Sequence, residues 1–401
     1  MTKKIDILVP PLDPIQFSGG SWCVIQYAIG LAKAGYDVRV IPMLPCVYPE
    51  WIPKIEGLSF IAEEENTLKI RRRSVLFNIA KAMLKRRRGK FIEAVSTFSL
   101  KFLKKVPHLL PFEFYRANVL FYIRSQAREA DIVIATYFET ALAARFYPAK
   151  RKLYFCQHLE SLFYKELPHN DLSRVDAEVS YHLGLEVIAN SSWLCGQLVN
   201  RGLQPKLCCN AINKEFFWPL STPIHRKNNE VVLISYGGRN VEWKGFLEMA
   251  RAVAIARLAC PNYQIIWRVY GSASLPSKND IANYESLGFL QQAQLGEAYR
   301  DADILLSASW YESFPLFPLE AMSCGLAVIS TQLGTEDYCR HLETAYIVEP
   351  HNEQSIADGI IALVQQRELR NHIASTGLVE STKFDWLSSV ERMKNIIEGF
   401  E

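Results

Sequence analysis

No apolar stretch of the 401-residue sequence reaches the roughly 18 residues that a membrane-crossing helix needs. The first ten residues, Met1 to Pro10, are too short and too interrupted by charge for a signal peptide. No pair among the nine cysteines has C-x-x-C spacing, and their number is odd. Cys23, Cys46, Cys156, Cys195, Cys208, Cys209, Cys260, Cys324 and Cys339 are scattered, several in apolar runs, and read as buried thiols in a reducing compartment. Disulfide frameworks and structural zinc sites are thereby disfavoured. The net charge of +3 is too small to argue for a nucleic-acid partner. What remains is an ordinary globular composition, 49% apolar and 22% charged, with length for two or three domains, expected in the cytoplasm.

The most informative stretch is Trp310 to Gly325. Glu312 follows an apolar run, Ile304 to Leu306, that reads as a buried strand. Glu320, eight positions later, opens the helix former Leu319 to Cys324, which stops at Gly325; a second apolar run follows at once. This is a strand, loop, helix, strand unit, and in a parallel sheet such a loop lies at the carboxyl edge, where ligands bind. Helix-start amides favour a phosphate, and a carboxylate there suits ribose hydroxyls. A plainer role, Glu320 complementing its helix dipole, stays open on this stretch alone.

From the start, Ile5 to Val9 reads as a strand, a loop leads to Gly19 and Gly20, Ser21 to Ala34 has helical spacing, and Tyr36 to Met43 is a second strand. That order is a nucleotide-binding half-unit, and two glycines at a helix start permit close approach of a phosphate or sugar; a tight turn is the plainer alternative. Further strands are expected at 131–136, 152–156 and 184–189. His158 falls just past the carboxyl end of one of them, where it is either a substrate contact or a structural hydrogen-bonder. The boundary between the halves is expected near 200–210, and a polar linker follows at 221–230. After it, Arg239 and Lys244 stand five apart ahead of the helix 246–258, a spacing able to neutralise a leaving diphosphate or, more plainly, a solvated cap. Asp301 and Asp303 form an Asp-x-Asp pair, a pattern that can hold a metal, but they lie at the edge of the sheet opposite the ligand loops and read as a structural turn.

Lys69 to Lys105 differs from the rest. It holds thirteen of the 45 Lys and Arg residues against one acid, Glu93, interleaved with Val75, Leu76, Phe77, Ile79, Met83, Phe91 and Phe98. The pattern predicts one or two basic amphipathic helices within an insertion at about 62–125. Such helices lie on anionic bilayers, each basic residue adding about 1 kcal/mol near the surface. A merely solvated insertion is the alternative. Nucleic acid is disfavoured because the aromatics fit the apolar face.

With these pieces in order, the chain resembles the family 4 glycosyltransferases of the GT-B fold. Glu312 and Glu320 match the family's E-x7-E pair, Arg239 and Lys244-Gly245 its two cations, Asn210-Ala-Ile-Asn213 with Phe217 and Pro219 its lobe junction, and Asp303 to Ser309 the strand before the first glutamate. Two departures stand out: Ser313-Phe314-Pro315 where the family has Gly-Phe-Gly, and Ala211 in place of a glycine. The C-terminal part from Glu336 resembles bacterial rhamnan-type surface polysaccharide transferases.

The resemblance implies an α/β fold of two Rossmann-like lobes facing across a cleft. These are an acceptor-side lobe over 1–205 and a nucleotide-sugar lobe over 206–385, with a helix over 386–401 crossing back. It implies a metal-independent, retaining transfer of a sugar, such as the deoxyhexose rhamnose, from a nucleoside diphosphate donor to a growing glycan or lipid-linked acceptor at the inner membrane face. No further cofactor is implied. Arg239 and Lys244 would neutralise the diphosphate, Glu312 and His158 contact the sugar, and Glu320 hold the ribose. Gly19 and Gly20 would lie near the diphosphate, with Phe289, Leu290, Phe314 and Leu316 lining the nucleotide site. A nucleotide-sugar epimerase of the same fold and a non-catalytic membrane scaffold are the rival readings.

Overall fold

The computed structural model describes residues 2–63, 112–164, 171–221, 229–238, 241–271 and 282–400. The chain divides into two compact units. The first comprises Met1–Asn190, Cys195–Cys208 and Val390–Glu401; the second comprises Ser191–Leu194 and Cys209–Ser389.

The first unit is built on a seven-stranded sheet of order β3-β2-β1-β4-β5-β6-β7. Its strands are β1 (Lys4–Val9), β2 (Asp37–Pro42), β3 (Leu58–Phe60), β4 (Ala130–Ala135), β5 (Ala149–Cys156), β6 (Glu186–Ala189) and β7 (Lys206–Leu207). All pairings are parallel, with Ile7 opposite Val40 on one side and Ile134 on the other. Central strands buried on both faces need apolar runs, and Ile-Leu-Val in β1 and Ile-Val-Ile-Ala in β4 supply them. Helices α1 (Gly19–Lys33), α2 (Phe112–Ser125), α3 (Phe138–Arg145) and α4 (Asp171–Ser180) belong to this unit.

Two expectations need adjusting here. Gly19 and Gly20 are not loop residues: Ser18 caps α1, its Oγ accepting from Ser21 N at 3.2 Å, so both glycines form the first turn. Of the expected insertion, 112–125 is helix α2; the basic stretch 69–105 lies outside the described residues.

Asp6, wholly buried in β1, is held by Arg39 at 2.8 Å, Arg128 at 3.0 Å and the Tyr147 hydroxyl at 2.5 Å, so its charge is compensated.

The second unit carries a six-stranded parallel sheet of order β10-β9-β8-β11-β12-β13. The strands are β8 (Glu230–Tyr236), β9 (Gln264–Tyr270), β10 (Glu285–Gly288), β11 (Ile304–Ser307), β12 (Ala327–Thr331) and β13 (Tyr346–Val348). Helix α5 (Ser192–Val199) is divided between the two units, and α6 (Phe246–Ala259), α7 (Gln292–Arg300), α8 (Leu316–Ser323), α9 (Glu353–Gln365) and α10 (Arg367–Ser381) follow. One core cluster packs Trp267, Phe246 and Met249 with α9; another packs Tyr270, Tyr299, Phe314 and Tyr338 with α8.

The last helix, α11 (Trp386–Glu398), joins the first unit from Val390 onward. Its contact with α1 depends on Gly30: a Cβ there would lie 2.3 Å from a Val390 methyl. The far end is fixed by Tyr36 Oη to Glu398 at 2.6 Å, the Lys3–Glu398 ion pair, and Arg151 Nη1 to the Ile397 carbonyl at 2.5 Å. Among the described residues no helix is long and apolar enough to cross a membrane.

Candidate functional site

In the second unit, two loops at the carboxyl edge of the sheet are fastened to each other. The first follows β8 and ends in a 3-10 turn, Glu242–Lys244, then Gly245. The second, 308–315, joins β11 to α8. Trp310 N donates to the Trp243 carbonyl at 2.8 Å, and Trp310 Nε1 to Glu248 at 2.9 Å. The Trp243 and Tyr311 rings stack at 5.4 Å and 13°. Gly245 makes the join possible: its φ is 66°, and a Cβ would stand 2.1 Å from the Ala308 carbonyl oxygen.

This fastening brings Lys244 to Glu312. The two form an ion pair with side chains only 17% and 13% exposed. The ammonium also lies 4.3 Å from the Trp243 ring centroid and 5.9 Å from that of Tyr236. Lys244, Glu312, Tyr236, Ser309, Pro315 and Phe317 share one small cavity.

Glu320 sits in the second turn of α8 rather than at its start, because the helix begins at Leu316, after the capping Pro315 and three residues before Leu319. Its side chain is buried, and Oε2 has no hydrogen-bond partner. Burial pushes its carboxyl up to about 8. A buried acceptor left without a donor is costly, and such groups ask for a functional explanation. Pro315 and Pro318 remove two amide donors from the start of α8 and leave those of Leu316, Phe317 and Leu319.

The remaining predicted residues of this unit are dispersed. Phe314 packs into the core, edge-on to Tyr338 at 5.4 Å and against Phe384 at 5.7 Å. Leu316 packs against the same core. Phe289, half exposed, and Leu290, packed inward, follow β10, which β9 and β8 separate from β11. Arg239 lies outside the described residues. Asp303 Oδ2 accepts from Val232 N at 2.8 Å, and Asp301 pairs with Arg268 at 2.7 Å. Among the described residues no group of three or more His, Cys, Asp or Glu side chains could hold a metal ion.

In the first unit, His158 follows β5 and is buried, with Nδ1 3.2 Å from the Leu159 carbonyl and the ring 4.4 Å from that of Phe163. Gly20 adjoins its loop, since a Cβ there would be 4.0 Å from Gln157 Cβ. The Gln157 carbonyl accepts from Asn190 Nδ2 at 3.0 Å.

Sequence reasoning passed over two groups. Glu160, fully buried, accepts from Phe138 N at 2.7 Å and Tyr154 Oη at 3.0 Å, while its own N–H donates to Tyr181 Oη at 2.9 Å. Burial raises its carboxyl to about 8 against the pull of those hydrogen bonds. Trp243, whose ring supports Lys244, was signalled only by an aromatic directly ahead of Lys-Gly.

Residues 221–378 match the family described as Glycosyl transferases group 1. The D-inositol 3-phosphate glycosyltransferase of Corynebacterium jeikeium (strain K411) is 28% identical over 180 residues, which cover 41% of this chain and 43% of that protein. The O-antigen biosynthesis protein RfbC of Myxococcus xanthus is 25% identical over 283 residues, 67% of this chain and 21% of that protein. This chain therefore spans less than half the length of either relative. Among solved structures, Anabaena Alr3699/HepE in complex with UDP and glucose aligns over 99% of this chain and 100% of its own, with a TM-score of 0.67 at 16% identity. The two parallel Rossmann-like sheets of this chain thus form a GT-B fold, and its segment 221–378 is the part that matches the group 1 glycosyltransferases.

Proposed function

We propose that this chain transfers a sugar from a nucleoside diphosphate donor to a glycan or lipid-linked acceptor with retention at the anomeric carbon. The observation that carries the reading is Glu320: a buried carboxyl with an unpartnered oxygen, on the helix that follows the loop of Glu312. Two ribose hydroxyls would supply the donors it lacks. Lys244, with Arg239, neutralises the diphosphate as it leaves. The amides of Leu316 and Phe317 add donors. Glu312 contacts the donor sugar, and His158 in the first unit bonds a sugar hydroxyl. The C1–O bond to the diphosphate breaks, a C1–O bond to the acceptor forms, and the hydroxyl proton leaves with the diphosphate.

One relative is named for D-inositol 3-phosphate and another for O-antigen biosynthesis, and the acceptor class proposed rests on the second and on the basic stretch 69–105. That stretch supports residence at the anionic inner face of a membrane. A deoxyhexose such as rhamnose as the transferred sugar rests on the C-terminal resemblance alone.

Incubation with labelled UDP-, GDP-, ADP- and dTDP-sugars and a surface-glycan extract tests the proposal. Label moving into the extract supports it. Conversion of one nucleotide sugar into its isomer without acceptor would favour an epimerase, and no conversion of any donor would leave a scaffold. Loss of sedimentation with phosphatidylglycerol vesicles on removing 69–105 tests the membrane part; unchanged sedimentation overturns it.

A further inference from the structure

Two loops of the first unit lie side by side at the carboxyl edge of its sheet. One joins β1 to α1; the other follows β2. Glu50 N donates to the Pro14 carbonyl at 2.9 Å, and Trp51 Nε1 to that of Asp13 at 3.0 Å. Asp13 Oδ1 accepts from Ile15 N and Gln16 N, each at 2.9 Å, which fixes the first loop before α1 begins.

Three rings gather where the loops meet. Phe17 is 4.9 Å from Trp22 and 5.3 Å from Trp51, and the two indoles are 6.2 Å apart. The apolar side chains under this sheet edge, Leu8, Ile25 and Ile41, are wholly buried, whereas all three rings stay half-buried. Each has about 150–250 Å² to remove from water, and packing against one another leaves part of it unburied. Exposed polar residues adjoin them in the same two loops: Gln16 and Ser18 flank Phe17, Asp13 precedes them, and Glu50 precedes Trp51.

We infer that Phe17, Trp22 and Trp51 form a platform for a neutral pyranose ring of the acceptor glycan. This rests on the glycosyl-transfer reading and specifies its acceptor side. A pyranose has an apolar C–H face that lies against an aromatic ring and a rim of hydroxyls that Asp13, Gln16, Ser18 and Glu50 can bond. The exposed carboxylates of Asp13 and Glu50 select against a phosphate or an anionic lipid headgroup at the same place. Position agrees: Trp22 follows Gly19 and Gly20 in the first turns of α1, and Gly20 adjoins the His158 loop. Platform and histidine thus both border the start of one helix. The platform takes a sugar unit beside the one that reacts, so it selects an oligosaccharide over a monosaccharide.

The test uses the full chain and unlabelled mono- to tetrasaccharides of glucose, galactose, rhamnose and N-acetylglucosamine. In saturation-transfer NMR, the ring C–H protons of the longer saccharides gain signal from the wild-type protein. Trp22→Ala and Trp51→Ala abolish it, and Trp51→Phe keeps most of it. In the transfer assay both Ala variants raise the acceptor KM by about tenfold or more. Should an Ala variant fail to fold, 5-fluorotryptophan-labelled wild type supplies the reading: the Trp22 and Trp51 fluorine resonances shift on adding saccharide. Equal saccharide binding in wild type and Ala variants, or none to wild type, overturns the inference. Binding of UDP, GDP, ADP and dTDP is followed by calorimetry in parallel. Loss of all nucleotide binding in wild type would sink the transfer reading instead, with the saccharide result still legible.

Discussion

The Lys244 ammonium and the Glu312 carboxylate are bonded to each other, under the Trp243 ring. Each is therefore held by the other in the absence of substrate. A diphosphate has to compete with Glu312 for the ammonium, and a sugar hydroxyl has to share Glu312 with it. The pair keeps a mostly buried cation and anion compensated until the donor replaces one partner.

Removal of Glu312 should then have two opposite effects. Glu312→Gln should bind free nucleoside diphosphate more tightly than wild type, because its Lys244 is unengaged, while sugar transfer falls. Lys244→Ala should lower kcat/KM by about 10²–10³-fold, the usual cost of deleting one charge-stabilising donor. Calorimetry and steady-state kinetics check both. Weaker diphosphate binding by Glu312→Gln would show that the pair does not compete with the ligand.

Glu320 predicts a pH dependence. Its carboxyl is pushed up to about 8 by burial, far above the ordinary carboxylate range. Between that range and pH 8 the folded protein holds a proton that the unfolded chain has released. Stability therefore falls as pH rises through this window and levels off above it. Glu320→Gln should match wild type near pH 4–5 and exceed it increasingly up to pH 8. Urea denaturation at several pH values measures this, and a difference that does not change with pH would remove burial of the charge as its cause. The same variant should bind nucleotide more weakly.

Glu160 should act through His158. Glu160→Ala leaves the Phe138 N–H and the Tyr154 hydroxyl without their acceptor, at about 1–3 kcal/mol each. The variant should melt earlier and lose transfer. Glu160→Gln keeps a carbonyl acceptor in place and should restore both. If the alanine variant lost stability but kept full kcat at low temperature, the anchor would not position His158.

Chelation should leave transfer intact. Asp303 is bonded to the β8 backbone at Val232 and Asp301 to Arg268, so both acids of the Asp-x-Asp pair serve the sheet. Activity assayed with and without EDTA tests this. Abolition by EDTA and recovery with a divalent ion would return the two acids to the reaction.

Legibility in the sequence followed periodicity. Strands β1, β4, β8, β11 and β12 are mostly apolar runs between turn residues, β1 interrupted only by Asp6, and a parallel sheet buried on both faces admits little else. Helix α3, Phe-Glu-Thr-Ala-Leu-Ala-Ala-Arg, was passed over: five of its eight residues are buried, small alanines among them, which leaves no distinct polar face to read. Strands β3 and β7, three and two residues long, are too short to carry a pattern.

The sequence by itself determined the alternation of strands and helices, the two parallel sheets that follow from it, and the residue types at their carboxyl edges, because local spacing decides which side chains face a core. Only the tertiary structure decided that Lys244 meets Glu312, that Glu320 has an oxygen without a donor, that Glu160 anchors the His158 loop, and that Phe17, Trp22 and Trp51 share a surface. Those relations join residues from 5 to 68 positions apart in the chain. The longer ones depend on where two loops land once the sheet has closed beneath them, and local spacing holds no record of that.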